Sequence, residues 1–416
     1  MATTPAHAAL GDTGFEGPSY LGTSKPASGD KPESKLWYAG GLWWAVMWDT
    51  ASEDWHIFQL DRTTNRWVDT GVLVDKRNGT LADVLYSAST DKVYIASHVA
   101  TTKIAVAGNA ARLMRYSYRN GAWRLDRGFP KKITDYSSET LTIDQDSVGN
   151  IWASWTQAAA DDTGAVYVAR GANGGESWST PFLVPSADAG GNRPRPDDIS
   201  TVVSFGSKIG VLWSNQRTSA LYWSIHPDGA GDGTWVTGTA LKSPRIADDH
   251  INIKSLQSDG AGRVFAVFKT NFNDVSTDKS LPQVMLATYR SGGVWTHQTL
   301  WTIGDCVTRP LVMLDESAHR IYVMGTAPET GCRYSGQEGV IFQKTASLSD
   351  LAFGPGRGTI LMKDAESPNL NNVTGSKQAF DSTSGQVLLA TNSLTKHYWH
   401  SDSMAGLAPV AVQSVH

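Results

Sequence analysis

DDHINIKSLQSDGAGRVFAVF, residues 248–268, decides the fold. Three polar residues lead into an alternating run, a glycine-containing turn follows, and a second, more apolar run closes the unit. Alternation with period two is the mark of a strand, and two such runs about a tight turn make a hairpin. The second run, RVFAVF, is apolar almost throughout, as in a strand covered on both faces.

The pattern recurs. SKLWYAGGLWWAVMW (34–48), ADVLYSASTDKVYIASH (82–98), SETLTIDQDSVGNIWASW (138–155) and DDISTVVSFGSKIGVLWSN (197–215) precede it. TRPLVMLDESAHRIYVMGT (308–326) and GSKQAFDSTSGQVLLATNS (375–393) follow. The leads Lys35, Asp83, Glu139, Asp198, His250, Arg309 and Lys377 stand about 57 residues apart on average, which is repeat behaviour. Between the copies lie further hairpin signals, such as the Asn120-Gly121 turn inside ARLMRYSYRNGAWRLD (111–126). Each unit then supplies four strands, and no segment shows helical periodicity. The spacing predicts an all-β, seven-bladed β-propeller with four antiparallel strands per blade. A two-sheet sandwich would need about 28 strands in one core, far beyond ordinary sheets.

Composition agrees. Glycine (40), tryptophan (16) and tyrosine (13) are frequent, and charged residues make up only 18% of 416. A net charge of -4 gives no reason to expect a nucleic-acid partner. No apolar run is long enough to span a bilayer as a helix. Residues 1–16 are expected to be a disordered start, and Ala6-His7-Ala8 has the form of a signal-peptidase site. Residues 17–416 are expected to form one propeller domain. Either GPSYLGTS (17–24) or LAPVAVQ (407–413) would complete the seventh blade and close the ring. Cys306 precedes the first strand of unit six and Cys332 follows the second, so a disulfide is expected, consistent with export.

Propeller geometry places the leads, and the ends of the second strands, around one mouth of the central channel. Opposite charges there either seal the channel or build a pocket. His98 ends the run VYIAS, and Asp83, at the start of the same blade, is expected to hydrogen-bond it. Tyr136 enters from a neighbouring loop. A histidine and a tyrosine beside cations suit proton abstraction α to a carboxylate, with elimination. His98 or His250 would be the base and Tyr136 the acid. Lys35, Arg193, Arg195, Arg245, Arg309 and Lys377 would bind the substrate's charge. Trp48 and Trp155, at strand ends, would stack on sugar rings. Asp198 and Asp249, on adjacent blades, can bind Ca²⁺ through oxygen ligands, or act with Glu139 in glycoside hydrolysis. One aspartate of each pair is expected to cap its turn instead. No cofactor is required by the elimination.

GANGGESW (171–178) resembles an Asp-box, S-x-D-x-G-x-x-W, with Asn173 at the aspartate position. DSVGNIW (146–152) and SDGAGRVF (258–265) are looser relatives. The chain resembles the secreted bacterial proteins that carry sialidase-type Asp-box (BNR) repeats. It has no R-I-P motif, and SPRIADD (243–249) is a poor substitute. Its architecture is similar to that of seven-bladed ulvan and rhamnosyl-glucuronate lyases. That likeness implies a histidine base with tyrosine and arginine at the channel mouth, the roles that His98 and Tyr136 would fill by placement. The expectation is a secreted, monomeric enzyme, most simply a lyase on a uronic-acid polysaccharide. An exo-acting hydrolase using the ring carboxylates and a non-catalytic sugar-binding propeller are the alternatives. Lectin propellers repeat one site in every blade, whereas these seven leads differ, which favours a single catalytic site.

Overall fold

The computed structural model describes residues 10–29, 32–256, 262–290, 292–332 and 339–405, with the side chains of 254–256 left aside. Seven antiparallel sheets stand in sequence order around a channel. The opening stretch supplies the two inner strands of blade five, Ile251–Leu256 and Arg263–Lys269, followed by Pro282–Arg290 and Val294–Thr302. Blades one, four and six have the same plain four-strand order. Blade two carries a fifth strand, and blade three ends in two short edge pieces, Ser177–Trp178 and Phe182–Leu183.

The period-two alternation sorts side chains into the spaces between blades. In blade five Val264, Ala266 and Phe268 pack toward blade four, while Phe265 and Val267 pack toward blade six. In blade four's Lys208–Asn215, Ile209, Val211 and Trp213 face blade three, and Leu212 faces blade five. Six apolar clusters result, each bridging neighbouring blades. Both faces of a middle strand are therefore dry, which is why these runs read as continuously apolar.

Around the channel, polar side chains tie one inner strand to the next. Asp83 Oδ2 accepts from Ile143 N at 2.7 Å, Thr142 Oγ1 from Val202 N at 3.1 Å, and Asp144 Oδ2 from Ser204 N at 2.8 Å. Asn252 continues the series toward Val312. These bonds satisfy backbone groups that splayed neighbouring strands leave unpaired.

Closure comes from the N-terminal side. Phe15–Ser19 is the outermost strand of blade seven and pairs with His397–Asp402. Strand pairing thus begins before residue 17, and Thr13 already bridges Lys363. The segment 407–413 and the Ala6-His7-Ala8 sequence lie outside the described residues. No helix among those residues is long and apolar enough to cross a membrane.

Candidate active site at the channel mouth

The seven leads do not stand at one level. The inner strand of blade two begins at Thr80 and that of blade seven is Leu370–Thr374, so Asp83 and Lys377 lie below the mouth. Lys377 Nζ meets Asp83 Oδ2 at 2.6 Å and also reaches the carbonyl of Ile143. Lys35, wholly buried, donates to the carbonyl of Ala82 at 2.7 Å. Burial raises the Asp83 pKa, although the Lys377 ammonium works against it. Below the mouth, the lining Ser34, Asp144, Asn252 and Lys377 leaves a cavity of only about 20 Å³. Asp83 and Lys377 therefore plug the channel, while the Lys35 ammonium is taken up between blades one and two, 5.4 Å from the centre of the Trp55 ring.

His98 is also displaced from its expected role. Its imidazole is fully buried, with Nε2 at 2.6 Å from Glu33 Oε1 and Nδ1 at 3.0 Å from Ser138 Oγ. The expected bond to Asp83 is not made, because Asp83 is engaged by Ser34, Ile143 and Lys377. Glu33 lies in the segment before the first blade, where no repeat pattern points to it. Trp48 and Trp155 are wholly buried and offer no face to a sugar; Trp48 packs edge-on against Trp55 and Trp155 stacks on Tyr167. Tyr136 is exposed at the end of the outer strand of blade two and lines neither of the two chambers at the mouth. Arg193 and Arg245 are exposed and likewise outside them.

Those chambers open over blades two to seven. One, of about 710 Å³, is lined by Glu139, Arg195, Asp197, Asp249, His250 and Arg309. Thr102, Asp162 and Arg217 also line it. The second, of about 650 Å³, lies over blades five to seven and contains Lys269, Lys279, Gln283, Thr308, Thr326 and Asn371. Cys306 and Cys332 are in its wall and form the disulfide, with Cα atoms 5.4 Å apart. His250 and Arg309 line both chambers and form their common wall.

His250 is positioned by its own lead. Nδ1 lies 2.6 Å from Asp248 Oδ1 and 2.5 Å from Asp249 Oδ1. Lys269, ending the partner strand, holds Asp248 Oδ2 at 2.6 Å. Nε2 is buried with no protein partner among the described residues. Burial disfavours the imidazolium, but the charge of Asp249 and the bonds to both aspartates outweigh it, so His250 titrates above the ordinary histidine value. The two carboxylates fix which nitrogen carries the proton and leave the other without a bond to protein among the described residues.

Arg309 takes a left-handed backbone conformation, φ 52°, at an irregularity in its strand, and donates to Asn372 Oδ1 at 2.8 Å. Such strain in a non-glycine residue at a cavity wall is a feature of functional sites. Arg195 makes a long 3.5 Å contact with Gln216 Oε1, and Arg217 pairs with Asp162. Asp198, paired with Asp249 in the cation reading, is wholly buried. It accepts from the backbone N–H groups of Arg195 and Gln216 and from the Ser214 hydroxyl. Its oxygens cap the loop, and desolvation lifts its pKa to about 6. Asp248, Asp249 and His250 do bring ligand-type atoms within 4.8 Å of one another.

The lining residues that the sequence does not announce follow a rule. Thr326 stands near the end of a second strand, and Arg217 sits in the hairpin just after one, at Asn215. The same geometry that points to Lys269 applies to both. Lys279 and Gln283 lie in and after the longer connection between Lys269 and Pro282, which carries no periodic signal.

No family model and no curated protein sequence matches the chain. Solved structures do. An ulvan lyase of polysaccharide lyase family 25, bound to a glucuronate–rhamnose-3-sulfate ligand, has TM-score 0.56 at 11% identity, over 92% of this chain and 95% of that one. A protein of unknown function from Dyadobacter fermentans gives 0.50 at 12% identity, over 79% and 93%. The NanB sialidase of Streptococcus pneumoniae gives 0.44 at 13% identity, over 97% and 71%. At these identities the likeness shows the propeller fold alone.

Proposed function

We propose that this protein is a carbohydrate-active enzyme that cleaves a uronic-acid-containing polysaccharide by β-elimination, with His250 as the base. The observation that carries the reading is His250 itself. Two aspartates hold Nδ1, Nε2 has no protein partner among the described residues, and the residue lines both chambers.

The chemistry follows from the lining. A uronate carboxylate set among Arg195, Arg217 and Arg309 has its developing charge offset as the α-proton leaves. Nε2 takes that proton from C5, the C5–H electrons form the C4–C5 double bond, and the C4–O bond breaks. The leaving oxygen needs a proton. Glu139 and Asp197 line the chamber where it would be delivered, whereas Tyr136 stands outside the lining. The ulvan lyase supports this reading by sharing the architecture and by its ligand. The disulfide fits an extracellular place of work.

Glu139, Asp197 and Asp249 on one chamber also favour a second reading, hydrolysis by paired carboxylates. One assay separates the two. The protein is given a panel of uronic-acid polysaccharides that includes a glucuronate–rhamnose-3-sulfate polymer, while ultraviolet absorbance and reducing ends are followed together. Absorbance rising with reducing ends is expected, and its loss in His250→Gln assigns the base. Reducing ends without absorbance mean hydrolysis. Silence in both overturns the enzyme reading and leaves a binding propeller.

A further inference from the structure

The second chamber holds a concentration of unspent hydrogen-bonding capacity. Gln283 and Thr326 are 5% and 2% exposed, and neither Gln283 Oε1 nor Thr326 Oγ1 has a protein partner among the described residues. His250 Nε2 is the third such atom in the same wall. Buried polar atoms are nearly always bonded, and leaving one unbonded costs ~1–3 kcal/mol. Three residues in the lining of one cavity that each carry such an atom point to a ligand that supplies hydroxyl groups.

The charge of this chamber differs from that of the first. Its lining includes Lys269, Lys279 and Arg309 and no carboxylate among the described residues, whereas the first chamber mixes arginines with four acidic residues. Lys269 is committed to Asp248, but Lys279 is exposed at the rim. A hydroxyl-rich unit with an anionic substituent matches both features.

We propose that the second chamber is a sugar-binding subsite in which Gln283 and Thr326 read ring hydroxyls and Lys279 attracts an anionic group, so that one glycan chain crosses the His250–Arg309 wall and is cut internally. The position of the cut rests on the elimination reading; the sugar recognition does not. A chain spanning two chambers has units bound on both sides of the wall, which excludes removal of single terminal units as the main reaction.

The test uses a glucuronate–rhamnose-3-sulfate tetrasaccharide as the probe. Its binding is measured by calorimetry in a His250→Gln background, where it is not consumed, and the size of the first products is measured with the unmodified protein and the polymer. Thr326→Val and Gln283→Leu are each expected to weaken the tetrasaccharide about tenfold, since each removes a buried hydrogen bond to the ligand. Lys279→Gln, an exposed change that leaves the fold alone, is expected to weaken it severalfold and flatten the salt dependence. Unchanged affinity in Thr326→Val and Gln283→Leu, or no binding of the tetrasaccharide, overturns the subsite; if the buried variants unfold, Lys279→Gln decides by the same criterion. Turnover that fails while these binding losses appear sinks the lyase reading and keeps the subsite. Turnover that releases single terminal units overturns the internal cut.

Discussion

Two histidines of similar promise in the sequence have opposite fates. His98 follows an apolar run, and burial between Glu33 and Ser138 makes it a tie between the segment before blade one and the loop leading into blade three. His250 lies in a lead bearing two aspartates, lines both chambers and keeps one nitrogen without a protein partner among the described residues. Nothing near His98 in the sequence announces its burial, because Glu33 comes from the segment before blade one, which carries no repeat pattern. Asp248, Asp249 and His250 are legible as a group, since all three are adjacent. The raised pKa of His250 sets a sign. The base must be unprotonated, so kcat/KM should climb as pH rises through a value above that of an ordinary histidine and fall on the acid side. Asp249→Asn removes the leading charge that raises it. The rising limb should then move to lower pH, with a lower plateau from looser positioning. A pH profile of kcat/KM for the two proteins reads this directly. A limb that does not move would show that His250 is not the titrating group.

At the scale of strands, alternation carries most of what a sequence can disclose about this fold. It names the hairpins, and it sorts Val264, Ala266 and Phe268 from Phe265 and Val267, the two sets that face opposite neighbouring blades. It fails where a strand is short and polar. The inner strand of blade seven, Leu370–Thr374, reads LNNVT and gives almost no apolar signal. Lys377, beyond its end, therefore has the look of a lead but lies in the plugged channel. Close packing between neighbouring strands of one blade also makes single atoms decisive. Gly210 stands opposite the Trp223 indole, where a Cβ would lie 1.9 Å from the ring. Gly210→Ala should force the indole or the strand aside and cost ~1–3 kcal/mol. In urea unfolding the midpoint should fall with the slope unchanged. An unaltered midpoint would mean that the blade four strands yield more easily than their packing implies.

The channel mouth differs from one side of the ring to the other. Blades seven and two send Lys377 and Asp83 together to seal the channel, while the charged chamber is lined chiefly from blades three to six. The ring holds only if its ends stay joined, and the joint is the strand Phe15–Ser19 on blade seven. His400 lies at that seam, its ring against Phe15 and Trp67, fully buried, with neither nitrogen bonded to a protein partner among the described residues. Desolvation by burial lowers its pKa from 6.5 to about 3. A group whose folded pKa is depressed stays neutral in the fold while the unfolded chain gains a proton. Its contribution is therefore intact above pH 6.5 and is lost progressively as pH falls toward 3. Between pH 7 and pH 4.5 the loss from this one residue should be roughly 2–3 kcal/mol. His400→Phe keeps the ring contacts and removes the titration, and at pH 7 it should be neutral or mildly stabilising because no polar atom is left buried without a partner. Other groups also change with acid, including Asp75, whose lowered pKa reflects bonds from Arg77 and Ser97 that outweigh its desolvation. The decisive quantity is thus the difference between the two proteins in urea midpoint at pH 7 and at pH 4.5. The gap should widen in favour of His400→Phe at the lower pH, with Phe15–Ser19 losing hydrogen-exchange protection first in the unmodified protein. Equal acid losses in both would place the acid-sensitive step elsewhere in the ring.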